Sequence, residues 1–172
     1  MGMGWDLYGD ARRSEIGAYD VAEICLSGHI TNSSVKQYPE DSMRFCDLCG
    51  ELTIQACPAC NASIRGDSVE FSSSYDLPSY CTDCGSAFPW IKAKLDAARE
   101  LFDIIDEFTE RDREILNANL DDLVRETPRT QVASLKVKKS LAKVSSSVVS
   151  AFRDILVDVL SEAAKKTIWP NS

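Results

Sequence analysis

Eight side chains of this sequence are suited to binding a transition metal, and they fall into four pairs. Thiolate and imidazole are the ligands that zinc prefers in proteins, and four of them complete a tetrahedral structural site. Eight such ligands therefore predict two structural zinc ions per chain, with no ligand left over. The pairs are Cys25-x3-His29, Cys46-x2-Cys49, Cys57-x2-Cys60 and Cys81-x2-Cys84, which use all seven cysteines and the only histidine.

The residue after the second cysteine of each Cys-x2-Cys pair supports this prediction. In a metal-binding turn of this kind that residue often has a positive φ, which favours glycine and next asparagine. Gly50, Asn61 and Gly85 occupy these positions, and Gly28 directly precedes His29. We therefore expect tight knuckles, each a Cys-x2-Cys turn whose N–H groups point at the thiolates.

Other uses of the cysteines are less favoured. Seven cysteines cannot all form disulfides, and the start of the sequence lacks the pattern of a secretory signal. A thioredoxin-like redox motif requires a βαβ setting, which the sequence does not indicate. Iron in place of zinc at the four-cysteine site, as in rubredoxin-like knuckles, stays an alternative.

The gaps between the pairs bear on which pairs share a metal. They are 16, 7 and 20 residues long. Either long gap can hold the hairpin of a zinc ribbon, and the short one suits a linker between two ribbons. A RING-type cross-brace stays an alternative, but its usual C-x-H-x2-C-x2-C run is missing. We predict site 1 from Cys25, His29, Cys46 and Cys49, and site 2 from Cys57, Cys60, Cys81 and Cys84.

Composition divides the chain into three parts. Residues 1–18 lack periodicity and are expected to form a flexible tail, whereas residues 19–88 have short β-type runs interrupted by turns. Residues 89–172 contain no cysteine and show helical periodicity. The sequence thus predicts a small α+β protein, a tandem zinc ribbon followed by an all-α region of three to four helices, with the boundary within Ser86–Trp90.

Capping signals mark the first helices of the all-α region. Pro89 suits the first turn of one helix, and Thr109 with Asp112 resembles the capping box of a second. The pair Thr127-Pro128 is expected to end that second helix. We expect Thr130 to cap the next one.

The remaining segment keeps one apolar register over residues 130–168, straight through three consecutive serines. It is therefore either one long helix or two helices with a bend at Ser145–Ser147. The pair Trp169-Pro170 marks its end.

The charge of the chain is unevenly distributed. The net charge is −8, and residues 20–90 hold ten acidic and three basic groups. Such a surface repels a phosphate backbone. The basic stretch 129–143 has no acidic residue, and we expect it either to face the acidic residues of 100–126 in the same chain or, like them, to be solvated. Nucleic acid or an acidic partner is the alternative.

The residues around the metal ligands form a specific set of motifs. They are Ile24-Cys25-Leu-Ser-Gly28-His29, Phe45-Cys-x2-Cys-Gly50, Cys57-Pro-x-Cys60 with Ile64-Arg-Gly66, and Ser79-Tyr-Cys-x2-Cys-Gly85 with Pro89-Trp90. This set resembles an uncharacterised bacterial zinc-ribbon family that is known only as a domain of unknown function. The resemblance covers residues 19–168 and implies a bacterial source and the same eight ligands. It implies no substrate.

The predicted ligand set leaves little for catalysis, because four protein ligands close a zinc site. The carboxylates of Asp103, Asp106 and Glu107 are expected to be solvated on a helix surface. We therefore predict a non-enzymatic zinc-binding interaction or adaptor protein. Its helices would bind a protein partner or form a homo-oligomer. The alternatives are a nucleic-acid-binding regulator that uses residues 129–143 and a RING-like ligase adaptor.

The sequence also bears on location. It has no apolar run long enough to span a bilayer, so no membrane association is expected. Together with the cysteines, which suit a reducing compartment, this predicts a cytoplasmic protein.

Overall fold

The chain has the predicted small α+β architecture. The computed structural model describes residues 19–68 and 75–170, so the predicted tail 1–18 lies outside the described residues. Two compact units follow one another along the chain, and the first ends at Trp90 while the second begins at Ile91. The first unit carries the cysteines, and the second is helical.

The described residues of the first unit contain short strands in two antiparallel sheets. The strands are β1 Tyr19–Val21, β2 Glu23–Cys25, β3 Ile30–Asn32, β4 Thr53–Ile54 and β5 Arg65–Ser68. A two-stranded sheet pairs β1 with β5, and a three-stranded sheet has the order β3-β2-β4. A short 3-10 helix covers Pro39–Asp41. The central strand β2 ends at the first metal-ligand candidate, so this sheet positions site 1.

A buried carboxylate fixes the register of β2. Glu23 is only 3% exposed, and it accepts hydrogen bonds from the Thr31 hydroxyl at 2.9 Å, the Met43 N–H at 2.8 Å and the Gln55 amide at 2.7 Å. A buried charge is tolerated when it is fully hydrogen-bonded. These bonds tie β2 to β3 and to the segments on either side of the next knuckle, so Cys25 is brought towards Cys46.

Trp90 is the largest fully buried side chain of the first unit. Its ring stacks on Phe88 with centroids 4.7 Å apart, and its indole N–H donates to the Pro78 carbonyl at 2.8 Å. Gly28 lies directly beside it with a φ of +93°, and a Cβ built on Gly28 would stand 3.0 Å from the Trp90 Cβ. Only glycine satisfies both the backbone angle and this close approach.

The second unit contains more helices than expected. Where the sequence predicted three to four helices, the described residues have five, because the segment 130–168 holds three instead of one or two. Ser145 and Ser161 are the N-caps that begin the last two, and the Ser161 hydroxyl accepts from the Ala164 N–H. The helices are α1 Pro89–Ile104, α2 Glu110–Leu123, α3 Pro128–Leu141, α4 Ser146–Leu156 and α5 Glu162–Ile168.

Capping explains where α2 and α3 begin. The predicted capping box of Thr109 and Asp112 is present, since each side chain accepts a hydrogen bond from the other's backbone N–H. The prediction that Thr130 caps α3 is wrong. Thr127 is the N-cap, with Pro128 in the first turn, and the Thr130 hydroxyl accepts from the Thr127 N–H at 2.9 Å. A proline fits there because its missing N–H would have no helical partner.

Aromatic rings fill the core of the helical unit. Phe102 and Phe152 are fully buried with ring centroids 5.6 Å apart, and Phe108 meets Phe102 edge-on at 5.9 Å. The predicted apolar faces of α1 and α2 also contribute buried side chains, among them Leu95 and Leu120. Within the described ranges, each helix is too short or too polar to cross a membrane.

Candidate metal centres

The first cluster combines the end of β2 with the following turn and the first knuckle. The Cys25 N–H donates to the His29 carbonyl at 3.0 Å, and the His29 N–H donates to the Cys25 sulfur at 3.2 Å. This turn aims both side chains at Cys46 and Cys49. The ligand atoms of all four residues lie within 4.8 Å of one another, and they are the four residues predicted for site 1.

The distances in the first cluster match a tetrahedral metal site. The His29 Nδ1 atom lies 3.5 Å from the sulfurs of Cys25 and Cys46, and the Cys25 and Cys49 sulfurs are 3.7 Å apart. Zinc bonds of about 2.3 Å to sulfur and about 2.0 Å to nitrogen imply edges of about 3.8 Å and about 3.5 Å. A disulfide would bring two sulfurs to about 2.0 Å. The geometry therefore fits metal ligands and makes Nδ1 the histidine donor atom.

The second cluster joins the last two knuckles. The Cys57 sulfur lies 3.8 Å from that of Cys84, and the Cys60 sulfur lies 3.7 Å from that of Cys81. All four sulfurs lie within 4.8 Å of one another. Of the four ligand pairs, the first thus shares a cluster with the second, and the third shares a cluster with the fourth. This is the sequential arrangement, and it differs from a RING cross-brace.

The three Cys-x2-Cys turns have the same backbone structure. In each, the residue after the second cysteine donates its N–H to the carbonyl of the first cysteine at 2.8 to 2.9 Å. Its φ is positive, as the sequence predicted: 74° at Gly50, 62° at Asn61 and 72° at Gly85. One antiparallel bridge closes each turn, and these bridges join Phe45 to Leu52, Ala56 to Ser63 and Tyr80 to Ala87.

Within the knuckles the first cysteine is buried and the second is exposed. Cys46, Cys57 and Cys81 are at most 4% exposed, whereas Cys49, Cys60 and Cys84 face solvent. A metal bound by such a cluster would have protein on one side and water near the outer sulfurs. All four coordination positions would nevertheless be taken by the protein.

Hydrogen bonds favour the thiolate at two outer cysteines. The Glu51 N–H lowers the pKa of Cys49 to about 7, and the Ser86 hydroxyl and N–H lower the pKa of Cys84 to about 6. The pKa of Cys60 rises to about 12 in spite of the Ala62 N–H, because neighbouring thiols and burial oppose its charge. Clustered sulfurs need a cation to lose their protons together.

The carboxylates of Asp103, Asp106 and Glu107 are exposed, as expected. Asp103 lies near the end of α1, and Asp106 and Glu107 lie in the turn between α1 and α2, not on a helix as expected. Neither cluster contains any of the three.

Both clusters fall within a region that has relatives. A model of the family described as "Uncharacterized protein conserved in bacteria (DUF2321)" matches residues 18–168. The chain belongs to this family. The match covers every strand, helix and cluster described above and confirms the resemblance inferred from the motifs. Neither the curated proteins nor the solved structures include a match to the chain.

One group of residues was missed in the sequence. The side chains of Phe45, Leu48 and Leu52 on the first knuckle are large, apolar and exposed. They lie scattered along the sequence between polar residues, so no periodic pattern indicated a shared surface. Only the bridge between Phe45 and Leu52 places two of them side by side.

Proposed function

We propose that the protein is a non-enzymatic interaction module of bacteria with two structural zinc ions. The metal ions stabilise an acidic first unit, and the helical unit binds a protein partner or a second copy. The observation that carries the proposal is the pair of four-ligand clusters, each with the spacing of a tetrahedral metal site.

Zinc fits the donor sets better than other metals. One cluster offers three thiolates and an imidazole, and the other offers four thiolates, which are standard structural zinc sets. Magnesium and calcium prefer oxygen ligands. Iron shares the preference for four thiolates, so metal analysis is the direct test of this choice.

The first unit has little else to stabilise it. Its strands are only two to four residues long. A structural zinc ion contributes on the order of 10–16 kcal/mol in zinc-finger peptides, which is comparable to the stability of a whole small domain. Folding of this unit and metal binding are therefore one coupled process.

A structural role follows from the closed coordination. A catalytic zinc keeps one position for water or substrate, whereas four protein ligands occupy every position. The clusters use all seven cysteines and the only histidine, so the chain has no spare thiol or imidazole for nucleophilic or acid–base chemistry.

The nucleic-acid alternative has less support, because the basic stretch contacts its own chain. Arg129 pairs with Asp122 at 3.0 Å, and Lys143 pairs with Asp112 at 2.5 Å. Lys138 donates to the Thr167 carbonyl at 2.8 Å. The bound metals would leave the first unit acidic as well, because the seven thiolates outnumber the four positive charges of two zinc ions. The sequential pairing likewise gives no support to a RING-like adaptor.

Metal analysis of protein produced with both zinc and iron in the medium tests the metal sites. We expect close to two zinc ions per chain by elemental analysis and by native mass spectrometry. About one ion per chain, or iron as the main metal, would contradict the proposal.

A second experiment tests the interaction role. The metal-loaded protein is examined for self-association and used to capture proteins from the bacterial host. Self-association or a specific protein partner is the expected result. A monomer that captures no specific protein would argue against an interaction module.

A further inference from the structure

The outer surface of the first knuckle differs from that of the other two. The three turns have the same backbone, so their positions can be compared one by one. The first turn has a large apolar residue at all three outward positions. Phe45, Leu48 and Leu52 correspond to Ala56, Ala59 and Ser63 in the second turn and to Tyr80, Asp83 and Ala87 in the third.

The knuckle fold does not require these apolar side chains. The same turn forms with Ala59 or with Asp83 in the place of Leu48. Leu48 is nevertheless 74% exposed, Phe45 54% and Leu52 41%. An exposed group of large apolar residues that the fold does not need is typical of a binding surface. We name Phe45, Leu48 and Leu52 the knuckle surface.

Acidic residues lie within the knuckle surface. Asp47 and Glu51 are exposed and alternate with its apolar residues along the chain. The four ligands of site 1 also carry a net charge of about −1 when three thiolates hold one zinc ion. Arg44, whose guanidinium lies 5.4 Å from the centroid of the Phe45 ring, offsets one of these charges, and the surface stays negative. A partner for it is therefore expected to combine apolar side chains with positive charge.

Helix α3 presents that combination on its outer face. Its inner face buries Ala133 and Val137, whereas Val132 and Leu135 are 54% and 49% exposed. Lys139 is exposed one helical turn after Leu135, and α3 contains no acidic residue. We name Val132, Leu135, Lys136 and Lys139 the helix surface.

We propose that the knuckle surface of one copy binds the helix surface of a second copy. This rests on the proposed interaction role and specifies its partner. The two surfaces are complementary in charge and both expose large apolar side chains, whereas two knuckle surfaces would repel each other. The contact is therefore heterologous: one copy retains a free helix surface and the other a free knuckle surface. The size of such an assembly increases with protein concentration, and its association constant falls as added salt screens the charges.

Two single variants in the full-length, zinc-loaded protein test the contact. Leu48→Asp removes the knuckle surface, and Asp83 shows that the turn accepts aspartate at this position. Leu135→Asp removes the helix surface, and Val132→Asp is a second variant of the same face. In sedimentation equilibrium each variant alone is expected to stay at the monomer mass of 19.0 kDa, with the association constant reduced at least about tenfold. The wild type exceeds that mass as concentration rises from micromolar to millimolar.

Mixing the variants gives the sharpest prediction. Leu48→Asp retains the helix surface and Leu135→Asp retains the knuckle surface, so an equimolar mixture forms a one-to-one dimer and nothing larger. Ala59→Asp makes the same change at the equivalent position of the second knuckle, and Ala118→Asp adds the same charge to an exposed site on α2. Both controls are expected to assemble like the wild type.

Several results would overturn the inference. They are a wild type that stays monomeric at millimolar concentration, a Leu48→Asp variant that assembles normally, and a mixture that stays monomeric. The inference would also fail if the wild type stayed monomeric and captured a different protein through Leu48, because that protein and not a second copy would then bind the knuckle surface. Zinc content is measured in every sample, because a monomeric wild type with two zinc ions overturns this contact alone, whereas missing zinc contradicts the proposed function.

Discussion

The sulfur atoms of Cys60 and Cys81 lie 3.7 Å apart, although 20 residues separate the two cysteines in the chain. The described residues of the intervening segment, 61–68 and 75–80, contribute one strand, β5, which pairs with β1 and not with a strand of its own ribbon. Loop closure over such a gap costs free energy that a few short strands recover poorly. A metal ion bound by both knuckles offsets this cost.

Removal of zinc is therefore expected to unfold the first unit selectively. Addition of a strong chelator should collapse the amide NMR signals of residues 19–90. The signals of residues 91–168 should persist, because that unit has its own aromatic core around Phe102 and Phe152. Adding zinc back should restore the amide signals of residues 19–90. Unchanged signals from residues 19–90 without metal would show that the clusters do not stabilise the fold.

Loss of one ligand should affect one site only. Cys49→Ser is expected to reduce the metal content from two ions to one, with site 2 retained, because each cluster takes its four ligands from a separate part of the chain. Cys60→Ser is the matched variant for site 2, since it also replaces the exposed second cysteine of a knuckle. Native mass spectrometry counts the ions. Loss of both ions from either variant would mean that the sites do not form independently.

Substitution of Gly28 should weaken metal binding at site 1. Gly28→Ala forces a Cβ into a left-handed backbone position and against Trp90, at a cost of about 2 kcal/mol. Because folding and binding are coupled, this corresponds to a roughly thirtyfold lower zinc affinity, measured by competition with a chelator. Gly50→Ala is the control, since its φ is also positive but its surroundings are open within 4 Å. If Gly28→Ala and Gly50→Ala lowered the zinc affinity equally, crowding against Trp90 would be excluded as the cause of the loss.

The buried carboxylate of Asp112 should stabilise the helical unit, although its partner Lys143 is half exposed. Asp112 is 1% exposed, and Lys143, Thr109 and Ser140 all hydrogen-bond its carboxylate. Asp112→Asn is expected to lower the free energy of unfolding by about 2 kcal/mol at neutral pH, measured by urea denaturation followed through helical circular dichroism. Asp122→Asn breaks the pair with Arg129, whose side chain is 77% exposed, and should cost less than about 1 kcal/mol. Equal losses of unfolding free energy in Asp112→Asn and Asp122→Asn would contradict the larger contribution of the buried carboxylate.

The same carboxylate predicts a pH dependence. Lys143 and Thr109 hold the pKa of Asp112 at about 2, below the value of about 4 in an unfolded chain. A depressed pKa in the folded state stabilises the fold above pH 4, and this stabilisation is lost as the pH falls towards 2. The stability difference between the wild type and Asp112→Asn should therefore shrink over this window. Zinc release at low pH affects the wild type and Asp112→Asn alike, so it cancels when their stabilities are compared at the same pH. A stability difference that stayed constant over this window would contradict the lowered pKa of Asp112.

Local signals in the sequence were sufficient for the ligands and the first caps. The four pairs, the positive φ after each second cysteine and the capping box at Thr109 all depend on residues at most four positions apart. The cap of α3 was placed wrongly because Thr127 and Thr130 are both good N-cap residues. Only the structure shows that they form one capping box, with Thr127 as the first residue.

Features that depend on distant contacts could not be predicted. The apolar register of residues 130–168 continues across the breaks before α4 and α5, so periodicity alone could not reveal them. The pairing of β1 with β5 joins residues more than 40 positions apart. The exposure of Leu48 depends on how the first knuckle folds, so the order of residues alone did not indicate it.

The buried carboxylate of Glu23 has a consequence for strand alignment. Glu23 and Cys25 are two residues apart on β2, so their side chains share one face of the strand. A slip of one residue in strand pairing would turn both away, and a carboxylate left without its donors in the interior would cost several kcal/mol. The carboxylate thus favours the same alignment that brings Cys25 to the other ligands of site 1. Glu23 and a bound metal ion therefore exclude the misaligned sheet together, in one coupled folding step.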